Sequence, residues 1–394
     1  PRVREFGNCW GMTTQPTQTP KLVLRDPVQL AVSIPYLLGF APERSIVVTF
    51  AAESGRHVLT ARCDLPGPMD PPSRFVDGLD AICEAGCADG AASVAAVIYP
   101  PEDSAAIDIA QVVSDFIVVV PELGLDLLSV GTVRNGMWHN ELEPHEPLVK
   151  IAEAGVGTAA EWVARGVAFE GSRADLSGRV RGPDTTLAHG VRHFVESQDD
   201  SWDREITRNR EARRELEDSL LEFLIPADSI GPGGRSHPRL SLPSIETLAG
   251  WAVGLADSRV REPVLWRLAE LTGGQGELEG EPQRRMLDAL CVLVRNTPEE
   301  DVAPLASCLA AFSWQLGNGA IAEIASEYGL VADPRNVLCQ LVSDAVTRGV
   351  HPEVWVEMLQ AMSLDELRSG PRRRRHLRFR LGTAGAPEVR DCPG

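Results

Sequence analysis

The sequence predicts an α/β sandwich with a mixed sheet in its N-terminal part, followed by a mainly α-helical C-terminal region of helical hairpins. Three observations carry this. Up to residue 150, short β-branched runs alternate with amphipathic segments. The pair Asn135-Gly136 separates two of those runs and is a strong hairpin signal. Beyond residue 150 the strands fade, and helical patterns follow one another through short turns.

Asp26-Pro27 opens a helix, with Asp as the cap and Pro at the first helical position. Leu30, Ile34, Leu37 and Leu38 fall on one face. Pro35 is expected to kink or break this helix, and Gly39 suits a left-handed C-terminal cap. Residues 45–51 and 56–65 read as strands joined by Ala52-Glu53-Ser54-Gly55. A helix over 72–85 puts Phe75, Leu79 and Ile82 on one face, and 93–99 reads as a buried strand. Residues 104–119 read as a helix, with an extended alternative for 116–120. Strands over 125–134 and 137–140 flank the hairpin turn. The order α-β-β-α-β-α-β-β points to a sandwich with a mixed sheet.

Two helices are expected next, over 158–169 and 202–224, the second long and heavily charged. The Gly/Pro/Ser stretch at 226–243 is a linker candidate. Residues 244–362 read as consecutive helices. Thr297-Pro298-Glu299-Glu300 is a capping box, and Asp333-Pro334 and Ser363-Leu364-Asp365-Glu366 are further helix starts. Leu309, Gly317, Ala322 and Pro334 lie near tetratricopeptide-repeat offsets, but the aromatic positions do not match and no second copy is visible. The reading is therefore repeat-like hairpins. The expected organisation is a disordered leader (1–21, with translation starting at Met12), an α/β domain (22–150), a helical extension (151–225), a linker (226–243), a helical-hairpin domain (244–362) and a basic disordered tail (363–394).

The chain of 394 residues carries a formal net charge of −18. Its cations are almost all arginine, with Lys21 and Lys150 the only lysines. Arginine, alanine, glycine and proline have GC-rich codons, which points to a GC-rich genome. Residues 371–394 hold seven Arg against Glu388 and Asp391, so the rest is more acidic than the whole. An acidic surface repels phosphate backbones and anionic membranes, so neither nucleic acid nor membrane is an expected partner. No apolar run has the ~20 residues of a membrane helix, and no secretory h-region precedes the fold. The eight cysteines sit mostly singly in apolar patterns, as reduced core cysteines do. A cytoplasmic location is expected.

Several stretches carry a family resemblance. They are Leu24-Arg25-Asp26-Pro27, the run Ile34 to Pro42, Ser45-Ile46-Val47-Val48 and Asp64-Leu65-Pro66. Further on come Val163-Ala164-Arg165-Gly166 with Ser172-Arg173, the run Phe312 to Gly319 through Asp333-Pro334, and Gly349-Val350-His351-Pro352. Together they resemble an actinobacterial family known as domain of unknown function 4192, over about residues 22–361. The resemblance implies a fold and no chemistry.

Each candidate chemical motif has a plainer structural reading. Gly155-Val156-Gly157-Thr158-Ala159-Ala160 fits G-x-G-x-x-A, and Asp175 follows at dinucleotide-fold spacing. Its preceding strand is short and charged, so glycines in a turn before a helix are favoured. Cys83 and Cys87 lie one helical turn apart without a second ligand pair, which favours core thiols. His139, His145, Glu141, Glu143 and Glu146 form a cluster read as a solvated acidic loop. Gly231-Pro232-Gly233-Gly234-Arg235-Ser236 lacks the Lys-Ser/Thr of a phosphate loop. No metal site or cofactor is expected.

Arg44, Asp64 and Arg173 are the polar residues set at motif and strand ends, where α/β domains present ligand groups. The plainer use of each is an ion pair or a loop hydrogen bond. If there is a site, they are its candidate residues, for anion or ligand binding rather than proton transfer, and no catalytic residue is identified. The leading functional expectation is a non-catalytic protein-interaction or regulatory module with a protein partner. The alternative is a small-ligand binder or enzyme with its site in the N-terminal domain.

Overall fold

The computed structural model describes residues 6–7, 23–67, 70–101, 108–182, 185–199, 201–225, 242–272 and 280–370. Most of the expected leader with Met12, the glycine-rich stretch 231–236 and the Arg-rich segment 371–394 lie outside the described residues. Within the leader, strand β1 (Phe6–Gly7) pairs antiparallel with β2 (Val23–Leu24).

The N-terminal part is a sheet covered on both faces. Helix α1 (Pro27–Leu38) begins where Asp26 accepts the Gln29 N–H at 2.8 Å. Strands β3 (Ser45–Ala51) and β4 (His57–Asp64) form a hairpin, and helix α2 (Pro72–Ala88) leads to β5 (Ser93–Tyr99). Helix α3 (Ile109–Glu122) then crosses over to β6 (Asp126–Arg134), and it is helical through 116–120. Asn135 and Gly136, both at positive φ, turn the chain into β7 (Met137–Asn140), followed by the edge strand β8 (Val149–Lys150). The order across the sheet is β4-β3-β5-β6-β7-β8, with β5 and β6 parallel and the other pairs antiparallel. The sheet is mixed, as expected.

Alternation in the strands builds two cores. Ile46, Val48, Phe50, Val94, Ala96 and Ile98 face α2 and α3 with Leu79 and Phe116. Val47, Ala95 and Val97 face the opposite side, with Leu30 and Ile34 of α1 and Trp162 of α5 (Val156–Ala164). Between β8 and α5 lies the single turn α4 (Ile151–Ala154). Trp138 of β7 lies over Gly131 of β6, where a Cβ would collide with the indole.

Helix α1 continues past Pro35, so of the expected kink or break the break does not occur. Pro35 lacks the N–H that would bond the Ala31 carbonyl. The Tyr99 hydroxyl donates to that carbonyl instead, at 3.4 Å. Gly39, at φ +81, caps the helix as expected.

The helical half comprises α6 (Arg173–Val180), α7 (Thr186–Ser197), α8 (Trp202–Ile206), α9 (Arg210–Leu224), α10 (Ile245–Gly254), α11 (Ser258–Thr272), α12 (Glu281–Arg295), α13 (Ala303–Gln315), α14 (Gly319–Ala332), α15 (Val337–Thr347), α16 (Glu353–Gln360) and α17 (Leu364–Ser369). One core runs through it, from Leu176 and Val180 of α6 to Leu359 of α16. The expected helix over 202–224 is two helices, because Asn209 caps α9 by accepting the Ala212 N–H at 2.8 Å. The expected capping box at Thr297 is also corrected. Thr297 bonds back to Leu293 O, Glu299–Asp301 is a 3-10 turn, and α13 starts at Ala303.

Residues 151–225 divide between the halves. α5 packs on α1, whereas α6 to α9 belong to the helical core, so the halves meet near residues 165–172. The stretch 226–243 joins helices of a single core. At the other end, α17 lies inside the segment expected to be tail. Ser363 and Glu366 form its capping box, and Arg368 grips the buried Glu217 of α9 with two bonds of 2.9 and 2.7 Å. No helix among the described residues is long and apolar enough to cross a membrane.

Candidate functional site

Strands β4, β5 and β6 run in one direction and end at the edge of the sheet where β3 begins. Carboxyl ends of strands are where α/β sheets gather ligand groups. The connector after α1 reaches the same edge. There Glu170 N–H donates to Gly39 O and Ala41 N–H donates to Glu170 O, both at 2.9 Å. This short parallel bridge holds the connector beside the start of α6. The Phe40 ring is buried in the helical core, so the connector is anchored in both halves.

Between connector, strand ends and α6 lies a solvent-open cavity of about 400 Å³. Glu43, Arg44, Arg62, Asp64 and Arg173 supply its charged lining, and Ser172 adds a hydroxyl. Phe40, Ala41, Leu65 and Ala174 supply apolar surface. Arg44, Asp64 and Arg173, chosen from the sequence, therefore line one cleft although they lie far apart in the chain.

Each side chain is placed by local structure. Arg44 precedes β3 with φ +46, a left-handed conformation that is uphill for a side chain with a Cβ. It is held there because its carbonyl accepts the Leu65 N–H at 2.9 Å, extending the β3–β4 ladder past the Ser45–Asp64 pair. Backbone outliers of this kind cluster at ligand sites. Asp64 ends β4 and pairs with Arg62. Arg173 is the first residue of α6, directly after the cap Ser172, whose hydroxyl accepts the Asp175 N–H at 3.1 Å. Its guanidinium meets Glu323 of α14 at 2.7 Å.

Arg62 was not singled out from the sequence. It stands two residues before Asp64, hence on the same face of β4. Its guanidinium lies over the Phe40 ring, 5.9 Å from the centroid, and donates to Glu43 O at 3.2 Å. The available signal was the alternation of β4, which puts two charges on one face at the strand end.

The lining thus sets three guanidinium groups beside two carboxylates, with Glu323 pairing Arg173 from outside the lining, on a chain of net charge −18. Guanidinium is planar, permanently charged and matched to carboxylate and phosphate oxygens. Cys63, next along β4, points to the other face, toward Gly78. Burial first, and then Asp64, pushes its thiol upward, so it stays protonated and a poor nucleophile.

The other sequence candidates resolve structurally. Val149–Lys150 before Gly155 is an edge strand antiparallel to β7, and Gly155 lies against Val32 of α1. This is not the strand-helix-strand unit of a dinucleotide site. Cys83 is buried in the α2 core, and burial pushes its thiol up to about 12. His139 bonds Glu141 at 3.0 Å, which raises its proton affinity, and Glu141 also accepts from Thr132. Among the described residues, no three His, Cys, Asp or Glu side chains meet as a metal-binding group.

The sequence model of one protein family, Domain of unknown function (DUF4192), matches residues 27–353 and so spans both halves and the cleft. The chain belongs to the DUF4192 family. No curated protein and no solved structure matches it. In this DUF4192 protein the stretches that carried the resemblance meet in space. Gly39, Phe40 and Ala41 join Glu170 beside Ser172-Arg173, and Trp314 Nε1 donates to Val350 O at 3.1 Å.

Proposed function

We propose that this protein binds a small oxyanion-bearing molecule, a phosphate or a carboxylate, in the cleft between its two halves. The convergence of Arg44, Arg62 and Arg173 on one cavity of an acidic chain carries this reading. The strained backbone of Arg44 supports it, since the fold tolerates a cost at that position. Asp64 orients Arg62, and Phe40 supports its guanidinium plane.

The test is thermal unfolding of the full chain with inorganic phosphate or with acetate, against chloride at equal ionic strength. A ligand that binds only the folded state raises the melting temperature, with a stabilisation that grows as the logarithm of one plus the ratio of ligand concentration to Kd. A rise with either oxyanion that Arg44→Ala abolishes supports the cleft, and comparing the two ions distinguishes phosphate from carboxylate. No rise with either, or an equal rise in the variant, refutes it.

A second reading, a protein-interaction module, is favoured by a separate observation. Val331 near the end of α14 and Val337 and Leu341 on α15 are exposed apolar side chains. We infer a cytoplasmic protein of an actinobacterium from the arginine-rich composition and the free cysteines, six of them among the described residues.

A further inference from the structure

This inference rests on the reading of the cleft as an oxyanion site. We propose that the Glu323 carboxylate competes with the ligand for Arg173, so that binding in the cleft passes this guanidinium from α14 to the ligand and is thereby felt in the helical half.

Three arginines of α6 or its cap reach other helices of the helical half: Arg173 to Glu323 of α14, Arg179 to Asp288 of α12, and Arg181 to Glu327 of α14. Arg181 also donates to Ile324 O at 3.3 Å. Only Arg173 lines the cleft as well. Glu323 and Glu327 stand one turn apart on α14, so the first pair faces the ligand site while the second lies further along α6. Leu176 and Val180, both buried, fix α6 in the core independently of any charge. Opening the first pair therefore leaves α6 in place and changes only the partner of Arg173.

The exchange is easy. Arg173 and Glu323 are 37% and 45% exposed, and exposed pairs of this kind are weak. Competition by Glu323 then lowers the affinity of an oxyanion by roughly two- to five-fold. Coupling of this kind is reciprocal: whatever Glu323 takes from ligand affinity, the ligand takes from the α6–α14 contact.

The experiment uses the full chain, inorganic phosphate as the probe, and constant ionic strength. Apparent Kd is read from the phosphate-dependent melting temperature. Four proteins are compared: wild type, Arg173→Ala, Glu323→Gln and Glu327→Gln. Arg173→Ala is expected to lose the phosphate response, with Arg173→Gln as its replacement should the alanine variant fail to fold. Glu323→Gln is expected to tighten Kd roughly two- to five-fold. Glu327→Gln removes the same charge four residues along and is expected to leave Kd unchanged. If Arg173→Ala abolishes binding but Glu323→Gln does not tighten it, the competition is refuted and the cleft stands. The same holds if Glu327→Gln tightens binding equally, because the effect is then general charge. If Arg173→Ala binds like wild type, the cleft reading itself fails.

Discussion

The Tyr99 hydroxyl, at the end of β5, donates to the Ala31 carbonyl that Pro35 leaves without its helical partner. Proline and tyrosine thus form a matched set: one removes a helix bond and the other satisfies the orphaned acceptor. At 3.4 Å the bond is long, but both groups are buried, and an unsatisfied buried carbonyl is costly. Tyr99→Phe is expected to destabilise the protein by roughly 0.5–1.5 kcal/mol. In a Pro35→Ala background, where residue 35 regains its N–H, the same change is expected to cost less. Urea unfolding of the four proteins in the cycle measures the difference.

The buried ion pair between Glu217 and Arg368 fastens α17 to α9. Glu217 is 1% exposed, and Arg368 holds both of its oxygens. Arg368→Ala strands a buried carboxylate and is expected to cost about 3–5 kcal/mol. Replacing both residues with apolar ones of similar size is expected to recover most of that loss, because two desolvation penalties disappear together. Denaturation midpoints of the single and double variants decide the point.

His57 gives a pH dependence with a defined sign. Burial, with Arg56 second, lowers its pKa from 6.5 to about 4, while its ring bonds Thr60 Oγ1 at 2.8 Å. Between those values the unfolded chain binds a proton that the folded chain does not, so acidification favours unfolding. The stabilisation is complete above pH 6.5 and is lost as pH falls toward 4. From about pH 7 to about pH 5, wild type is expected to lose roughly 1–2 kcal/mol more than His57→Gln, allowing for the partial exposure of the ring. Urea titrations at the two pH values measure it, and parallel losses in both proteins would assign the dependence to other groups.

Arg44 is expected to trade stability for binding. Glycine accepts positive φ without the Cβ clash, so Arg44→Gly should stabilise the fold by roughly 0.5–1 kcal/mol while weakening phosphate binding. Unfolding and phosphate titration of one variant read both effects. A variant that loses stability would show that the Arg44 side chain holds the turn rather than a ligand.

Local signals in the chain carried the architecture and stopped where distant residues decide. β5 falls at 93–99 as expected, because its β-branched run is bounded by turn residues, and Asp26 and Gly39 cap α1 because cap chemistry is local. That α1 continues unbroken past Pro35 was not legible, because the partner of the Ala31 carbonyl, Tyr99, lies 64 residues from Pro35 in sequence and in another element. Helices α6 and α7 were not anticipated: α6 is short and polar, and both face a core assembled from later helices. Arg44, Asp64 and Arg173 were legible as polar residues at element ends. Their convergence was not, since it depends on the Phe40–Glu170 bridge, nor was the Arg173–Glu323 pair across 150 residues of chain.

Whether the cleft holds a small anion is read from a native mass spectrum of the intact protein, gently isolated from its own cells. An added mass of small-molecule size is expected on the wild-type chain and absent from Arg44→Ala. A bare chain, a small adduct that Arg44→Ala retains, or an added mass of protein size alone would contradict an anion in the cleft.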